Sequence, residues 1–104
     1  MEIKGYYQDR TVFIDDKELL PVSSQKLKNH SPDGFSWGYD GSGPAQLALA
    51  ILLEITKDED FSLKKYQDFK RDIICDLPVE KNFAIDGKQV LEWIEKRKTK
   101  SKQG

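Results

Sequence analysis

The segment from residue 45 to residue 55 constrains the fold most, because it is apolar at nearly every position. Only Gln46 and Glu54 interrupt its run of Ala, Leu and Ile. Pro44 stands just before it and suits the first turn of a helix, where a missing N–H costs nothing. A helix that is apolar on all sides must be covered on several faces. The sequence therefore predicts a central buried helix around which the remaining elements pack.

Shorter elements surround this helix in the sequence. Aromatic and β-branched residues predict short strands at residues 6–7 and 11–14. A third strand is expected to return over residues 17–20 until Pro21 stops it, and the alternation of apolar and polar residues predicts a half-buried strand at 35–37. Two more helices are expected, one beginning near Ser62 and one at Asp86. Strands followed by helices indicate an α+β fold. We expect a small antiparallel sheet of three to four short strands packed with three helices, the central one buried.

The charges divide the chain into an acidic body and a basic end. Of the 17 Lys and Arg residues, 5 lie between residues 96 and 102, whereas all 18 Asp and Glu residues precede them. The sequence predicts a single domain over residues 1–95 and a basic, disordered tail over 96–104. An acidic body repels phosphate backbones, so general nucleic-acid binding by the folded part is not expected.

The sequence favours a cytoplasmic protein without cofactor, metal or membrane partner. Cys75 is the one cysteine, so no internal disulfide is expected, and no apolar signal region follows Met1. The apolar run at 45–55 is shorter than the roughly 20 residues that span a bilayer. His30 is the one histidine and cannot supply a zinc set, and the acidic residues 58–60 lack the spacing of a calcium loop.

The glycine-rich turn before the central helix is the strongest candidate site. Gly38, Gly41 and Gly43 bend the chain into a helix N-terminus, where free N–H groups favour an anion. With Gly43 as the helix cap, Gln46 is expected to bond back to the helix start. The predicted ligand-binding residues are His30, Trp37, Tyr39, Gly41, Ser42, Gly43 and Gln46. In the alternative interpretation the glycines only turn the chain, Ser42 caps the helix and the aromatic residues are core.

Known catalytic and phosphate-binding templates fail at this turn. The glycine spacing is the reverse of the dinucleotide fingerprint, no Lys-Ser/Thr pair follows as in a P-loop, and the Gly-x-Ser-x-Gly elbow is absent. Asp40 would also repel a phosphate. Ser42, His30 and Asp40 or Asp33 form the one complete Ser-His-Asp set, but nothing in their spacing brings them together. We therefore assign no catalytic residue.

Residues 29–39 (NHSPDGFSWGY) and 41–50 (GSGPAQLALA) carry a resemblance that extends from about residue 7 to residue 93. They resemble the central motif of a family of small uncharacterised proteins from bacteria, phages, plasmids and other mobile elements. The resemblance supplies no activity and no catalytic residues. It implies an accessory role in a mobile element, such as interfering with a host defence or sequestering a signal nucleotide.

These observations predict a non-catalytic binding protein with its site at residues 37–46. The expected ligand is small and anionic or nucleotide-like, with Trp37 or Tyr39 as a stacking face. One alternative is a protein-interaction module that inhibits or tethers a host protein, and another is a small hydrolase that uses Ser42. The uniformly apolar helix also leaves a homodimer open, because it needs much cover.

Overall fold

The structure is a computed structural model that describes the backbone of residues 1–103 and the side chains of residues 1–98. It confirms an α+β fold with a four-stranded antiparallel sheet and, in the described residues, four helices. The α3 helix runs directly into a π-helical turn, here called the π segment. In chain order the elements are β1 (Glu2–Tyr6), β2 (Thr11–Ile14), β3 (Lys17–Glu18), α1 (Val22–Leu27), α2 (Ser42–Thr56), α3 (Glu59–Phe69), the π segment (Lys70–Ile74), β4 (Phe83–Asp86) and α4 (Gly87–Gln103).

The sheet has the order β3-β2-β1-β4, with every neighbouring pair antiparallel. Ile3 on β1 pairs with Ile14 on β2 and with Ile85 on β4. Burial alternates along β1 and β4, which turns Ile3 and Ile85 towards the helices. The fourth strand is thus Phe83–Asp86, and the prediction of a strand at 35–37 is wrong, because that segment lies in a loop.

The central helix α2 is buried as predicted. Every residue from Gly43 to Leu52 is buried, and α2 contacts both α1 and α3. Full burial of a Leu or Ile side chain contributes about 1.5–3 kcal/mol, so this helix is the main apolar contribution to the core. The helix begins at Ser42, two residues before the predicted start at Pro44.

Two helix predictions need correction. The helix expected near Ser62 begins at Glu59, because the Asp58 carboxylate accepts a hydrogen bond from the Phe61 N–H at 3.0 Å and caps it. The acidic residues 58–60 therefore have the ordinary role of a helix start. The fourth helix, α1, was not predicted. It follows Pro21 directly, and its Ser24 side chain is buried.

The chain's basic end continues α4 as a helix through residues 96–103, where the sequence predicted a disordered tail over 96–104. Lys and Arg are good helix formers. Arg97 also anchors the helix, because its guanidinium lies 2.8 Å from the Asp72 carboxylate and 4.1 Å from the centre of the Trp93 ring. Gly104 lies outside the described residues. None of the helices in the described part of the chain is long and apolar enough to cross a membrane.

The π segment holds the glycine-rich turn in place. Its defining bond joins the Cys75 N–H to the Lys70 carbonyl at 2.9 Å, and the Ile74 carbonyl accepts from the Gly38 N–H at 3.0 Å. Gly38 has a φ of +85°, and a Cβ there would lie 2.8 Å from the Val79 Cα. Both the positive φ and the close backbone approach require glycine at this position.

We expect Gly38→Ala to lower the free energy of unfolding by more than 2 kcal/mol, since a positive φ alone costs an L-residue about 1–2 kcal/mol. Gly34→Ala is the matched control: Gly34 has a φ of +109°, but its nearest neighbour, Pro21 Cγ, lies 3.7 Å from the added Cβ. The control has a positive φ without a close contact, and its φ lies further from the left-handed region than that of Gly38. Urea unfolding measures both variants, and a loss smaller than about 2 kcal/mol for Gly38→Ala would contradict this prediction.

Candidate functional site

The two aromatic residues of the glycine-rich turn have different environments. Tyr39 is 47% exposed, whereas Trp37 is only 2% exposed. The Trp37 indole N–H donates to the Lys81 carbonyl at 2.8 Å, and its ring packs edge-on against Phe83 at 4.7 Å. Trp37 is therefore a core residue, and its predicted role as a stacking face is wrong. Tyr39 keeps an exposed ring.

Gln46 is a buried structural residue and does not bond back to the helix start as predicted. Its Oε1 accepts from the backbone N–H groups of His30 at 2.7 Å and Ser31 at 3.0 Å. Its Nε2 donates to Ser24 Oγ at 2.9 Å and to the Lys28 carbonyl at 3.1 Å. The amide thereby ties α1 and the loop after it to α2.

The imidazole of His30 makes a second structural contact, with Tyr66. Its Nε2 lies 2.5 Å from the Tyr66 hydroxyl. Burial, and then the positive charges of Lys28 and Lys70, lower the pKa of His30. Within residues 1–98, no hydrogen bond joins His30 to Ser42. The geometry thus gives the serine-hydrolase alternative no support.

The start of α2 leaves backbone donors unused by the helix. Gly41 is the N-cap, in place of the predicted Gly43 or Ser42, and no side chain caps the helix. Ala45 gives the first bond of the helix, from its N–H to the Gly41 carbonyl at 3.0 Å. Pro44 has no N–H, so the donors of this first turn are the N–H groups of Ser42 and Gly43. The Ser42 side chain is exposed.

A cleft of about 500 Å³, here called the α2 cleft, opens at this helix start. Three separate segments form its walls: the turn between β1 and β2, the loop after α1, and the glycine-rich turn with the first residues of α2. The lining residues are Arg10, Ser31, Asp33, Gly34, Phe35, Ser36, Tyr39, Ser42 and Gly43. Of the predicted site residues it brings together Tyr39, Ser42 and Gly43. The other four do not line it: Gly41 is the N-cap of α2, and His30, Trp37 and Gln46 lie in the structure that supports the cleft.

Arg10 is the site residue that the sequence did not reveal. It lies at the end of the β1–β2 turn with a φ of +58°. Its guanidinium donates to the Tyr7 carbonyl at 2.5 Å and stands 3.7 Å from the centre of the Tyr7 ring. These contacts hold the guanidinium in place. A guanidinium has five N–H donors, and the bond to Tyr7 uses one of them. The only available signal was an arginine in a turn, more than 30 positions from Ser42.

Asp40, which the sequence placed as a repulsive charge, is paired. Its Oδ1 lies 2.6 Å from the ammonium of Lys70 on the π segment. The hydrogen bond and the charge of Lys70 lower the pKa of Asp40. The carboxylate therefore stays ionised and faces a cation of its own.

The α2 cleft combines one guanidinium, serine hydroxyls and helix N–H groups with a single carboxylate, Asp33. This set of donors suits hydrogen bonding to an anion with hydroxyl groups elsewhere on the molecule. No cluster of three or more His, Cys, Asp or Glu residues with a geometry for a metal ion occurs in the part of the chain that the structure describes.

Residues 4–96 match DUF6166, a family of unknown function, and the chain belongs to this family. No curated protein and no solved structure matches the chain significantly. The match confirms membership of an uncharacterised family and adds no activity to the geometry above.

We expect Gln46→Leu to lower the free energy of unfolding by about 3 kcal/mol or more, because each buried group left without a partner costs about 1–3 kcal/mol. The variant removes the acceptor of the His30 and Ser31 N–H groups. Gln89→Leu makes the same change at an exposed position of α4 and should alter stability by less than about 0.5 kcal/mol. Chemical denaturation compares the two, and a similar small loss for Gln46→Leu would contradict the role of the amide.

We expect thermal stability to fall as the pH drops from about 7 to about 5, and His30→Asn to remove most of this slope. The folded protein lowers the pKa of His30, so the unfolded chain takes up the proton first as the pH falls through the ordinary value of 6.5. The stability that neutral His30 contributes is fully present above pH 6.5. It is lost as the pH falls towards the lowered pKa that His30 has in the folded protein. Thermal unfolding across this range is the measurement, and equal slopes in both proteins would refute the assignment.

Proposed function

We propose that this protein binds a small anionic, nucleotide-like ligand in the α2 cleft without catalysing a reaction. The observation that most supports this proposal is that Arg10 lines the same cleft as Ser42 and Gly43 at the start of α2. A guanidinium and a helix N-terminus both favour negative charge, and each supplies N–H donors directed at an anion.

The size of the cleft and its exposed ring support the nucleotide-like part of the proposal. Its volume of about 500 Å³ lies within the roughly 300–1,000 Å³ of small-molecule sites. Tyr39 offers an exposed aromatic face on which a base or another planar ring can stack. The Asp33 carboxylate is an acceptor for ligand hydroxyl groups, as acidic residues are for ribose in nucleotide sites.

The biological setting of this proposal comes from the resemblance to proteins of phages and mobile elements. A protein that sequesters a nucleotide needs no catalytic group, and the binding proposed for the α2 cleft involves none. We therefore propose an accessory role in a mobile element, carried out in the cytoplasm.

A second candidate is a protein-interaction module. Leu20 and Val22 are exposed beside a groove of about 460 Å³ between β3, α1 and the end of α2. Exposed apolar residues next to a groove are typical of docking surfaces. If the host-protein alternative holds, a protein captured by the wild type should be lost with Leu20→Lys and retained with a change in the α2 cleft, such as Arg10→Gln.

A panel of nucleoside mono-, di- and triphosphates, cyclic nucleotides and dinucleotides, screened by thermal shift, tests the binding proposal. A nucleotide present at 100 times its dissociation constant adds about 2.7 kcal/mol. For a domain of this size the melting temperature should rise by roughly 10 °C or more. The proposal fails if no member of the panel raises it.

We expect Arg10→Gln to weaken binding of the best nucleotide in the panel about tenfold, because a charge-assisted hydrogen bond contributes roughly 1.5–3 kcal/mol. Lys64→Gln is the control: it removes one positive charge from an exposed residue of α3 that does not line the cleft. Isothermal titration measures both affinities. Equal losses would mean that net charge, and not the cleft, determines binding.

A further inference from the structure

Lys70 is a buried cation beneath the glycine-rich turn. Its side chain is only 10% exposed, whereas that of Asp40, its partner at 2.6 Å, is 68% exposed. An ammonium group buried without a partner is costly, and Asp40 supplies the opposite charge at hydrogen-bond distance. The ion pair therefore joins the core to the surface of the turn.

The π segment determines where this cation lies. Lys70 is its first residue, at the point where the hydrogen bonding of α3 changes from the α to the π pattern. Such π turns are rare and occur frequently at functional sites. The same segment binds Gly38 through the Ile74 carbonyl, so it holds the turn on both sides of Tyr39.

Asp40 lies in the turn next to the α2 cleft but does not line it. Tyr39 before it lines the cleft, and Gly41 after it caps α2. An unpaired carboxylate at this position would oppose any anion bound at Ser42 and Gly43. Because Lys70 pairs with it, the turn carries no net charge from this pair.

We infer that Lys70 is a specificity-determining residue of the α2 cleft, whose buried ammonium cancels the charge of Asp40 and thereby permits a phosphate group to bind. This inference rests on the proposed function. Lys70 does not line the cleft, so it acts through Asp40 and not by touching the phosphate.

The test is a titration with inorganic phosphate at low ionic strength, followed through the amide signals of Ser42 and Gly43 by NMR. Lys70→Met leaves Asp40 unpaired, and we expect phosphate to bind about fivefold more weakly, with the difference shrinking as salt is added. Asp40→Asn alone removes the carboxylate and should bind phosphate at least as tightly as the wild type. Lys64→Met removes an exposed Lys from α3 and serves as the control, with affinity unchanged.

The double variant separates charge cancellation from a merely structural clamp. Asp40→Asn added to Lys70→Met restores the net charge of the turn but not the ion pair, so we expect wild-type affinity to return. A double variant as weak as Lys70→Met would overturn the inference, because a lost clamp is not repaired by Asn. If Lys70→Met does not fold, Asp40→Asn decides alone, since it alters an exposed side chain, and binding weaker than in the wild type refutes the inference. Wild-type protein that does not bind phosphate overturns this inference, and so does equal binding by the wild type and Lys70→Met, whereas the nucleotide panel decides the proposed function separately.

Discussion

The buried amide of Gln46 is the interaction on which the rest of the structure depends. The apolar side chains of α2 offer no hydrogen-bond partners to the surrounding backbone. The loop after α1 nevertheless crosses this helix, and its backbone has no regular structure to satisfy its N–H and carbonyl groups. Gln46 supplies an acceptor and donors at that crossing, to His30, Ser31, Ser24 and the Lys28 carbonyl. Since each of these groups would otherwise lose its partner in the interior, the amide fixes the position of the loop that forms one wall of the α2 cleft.

A second constraint is the placement of charge around the start of α2. The body of the protein is acidic, and an anion site in it requires local compensation. Arg10 supplies a cation that lines the cleft, and Lys70 pairs with Asp40 in the turn beside it. In this pair the Lys70 side chain is 10% exposed and the Asp40 side chain 68% exposed, so the carboxylate faces solvent while the cation lies in the interior.

The fold could be predicted from the sequence where a local pattern of residue types determines the element. The run at 45–55 predicted a buried central helix, and a stretch rich in aromatic and β-branched residues predicted β2 at residues 11–14. The prediction failed where tertiary contacts override local preference. Residues 35–37 have a strand pattern, but the Trp37 indole bonds to Lys81 and its ring packs on Phe83, which holds them as a loop. The strand pairing with β1 comes instead from Phe83 to Asp86, far along the chain.

The candidate site could be predicted only in part from the sequence, for the same reason. One wall, the glycine-rich turn with Ser42, is contiguous in sequence and was found. Arg10 and Asp33 reach the cleft only because the β1–β2 turn and the loop after α1 meet α2 in the folded protein. Tyr39 and Trp37 looked equivalent in the sequence, since both are aromatic residues beside a glycine. Their difference arises because Trp37 has the Lys81 carbonyl and Phe83 as partners in the interior, while the Tyr39 ring lies next to Gly41 and stays partly exposed beside the cleft.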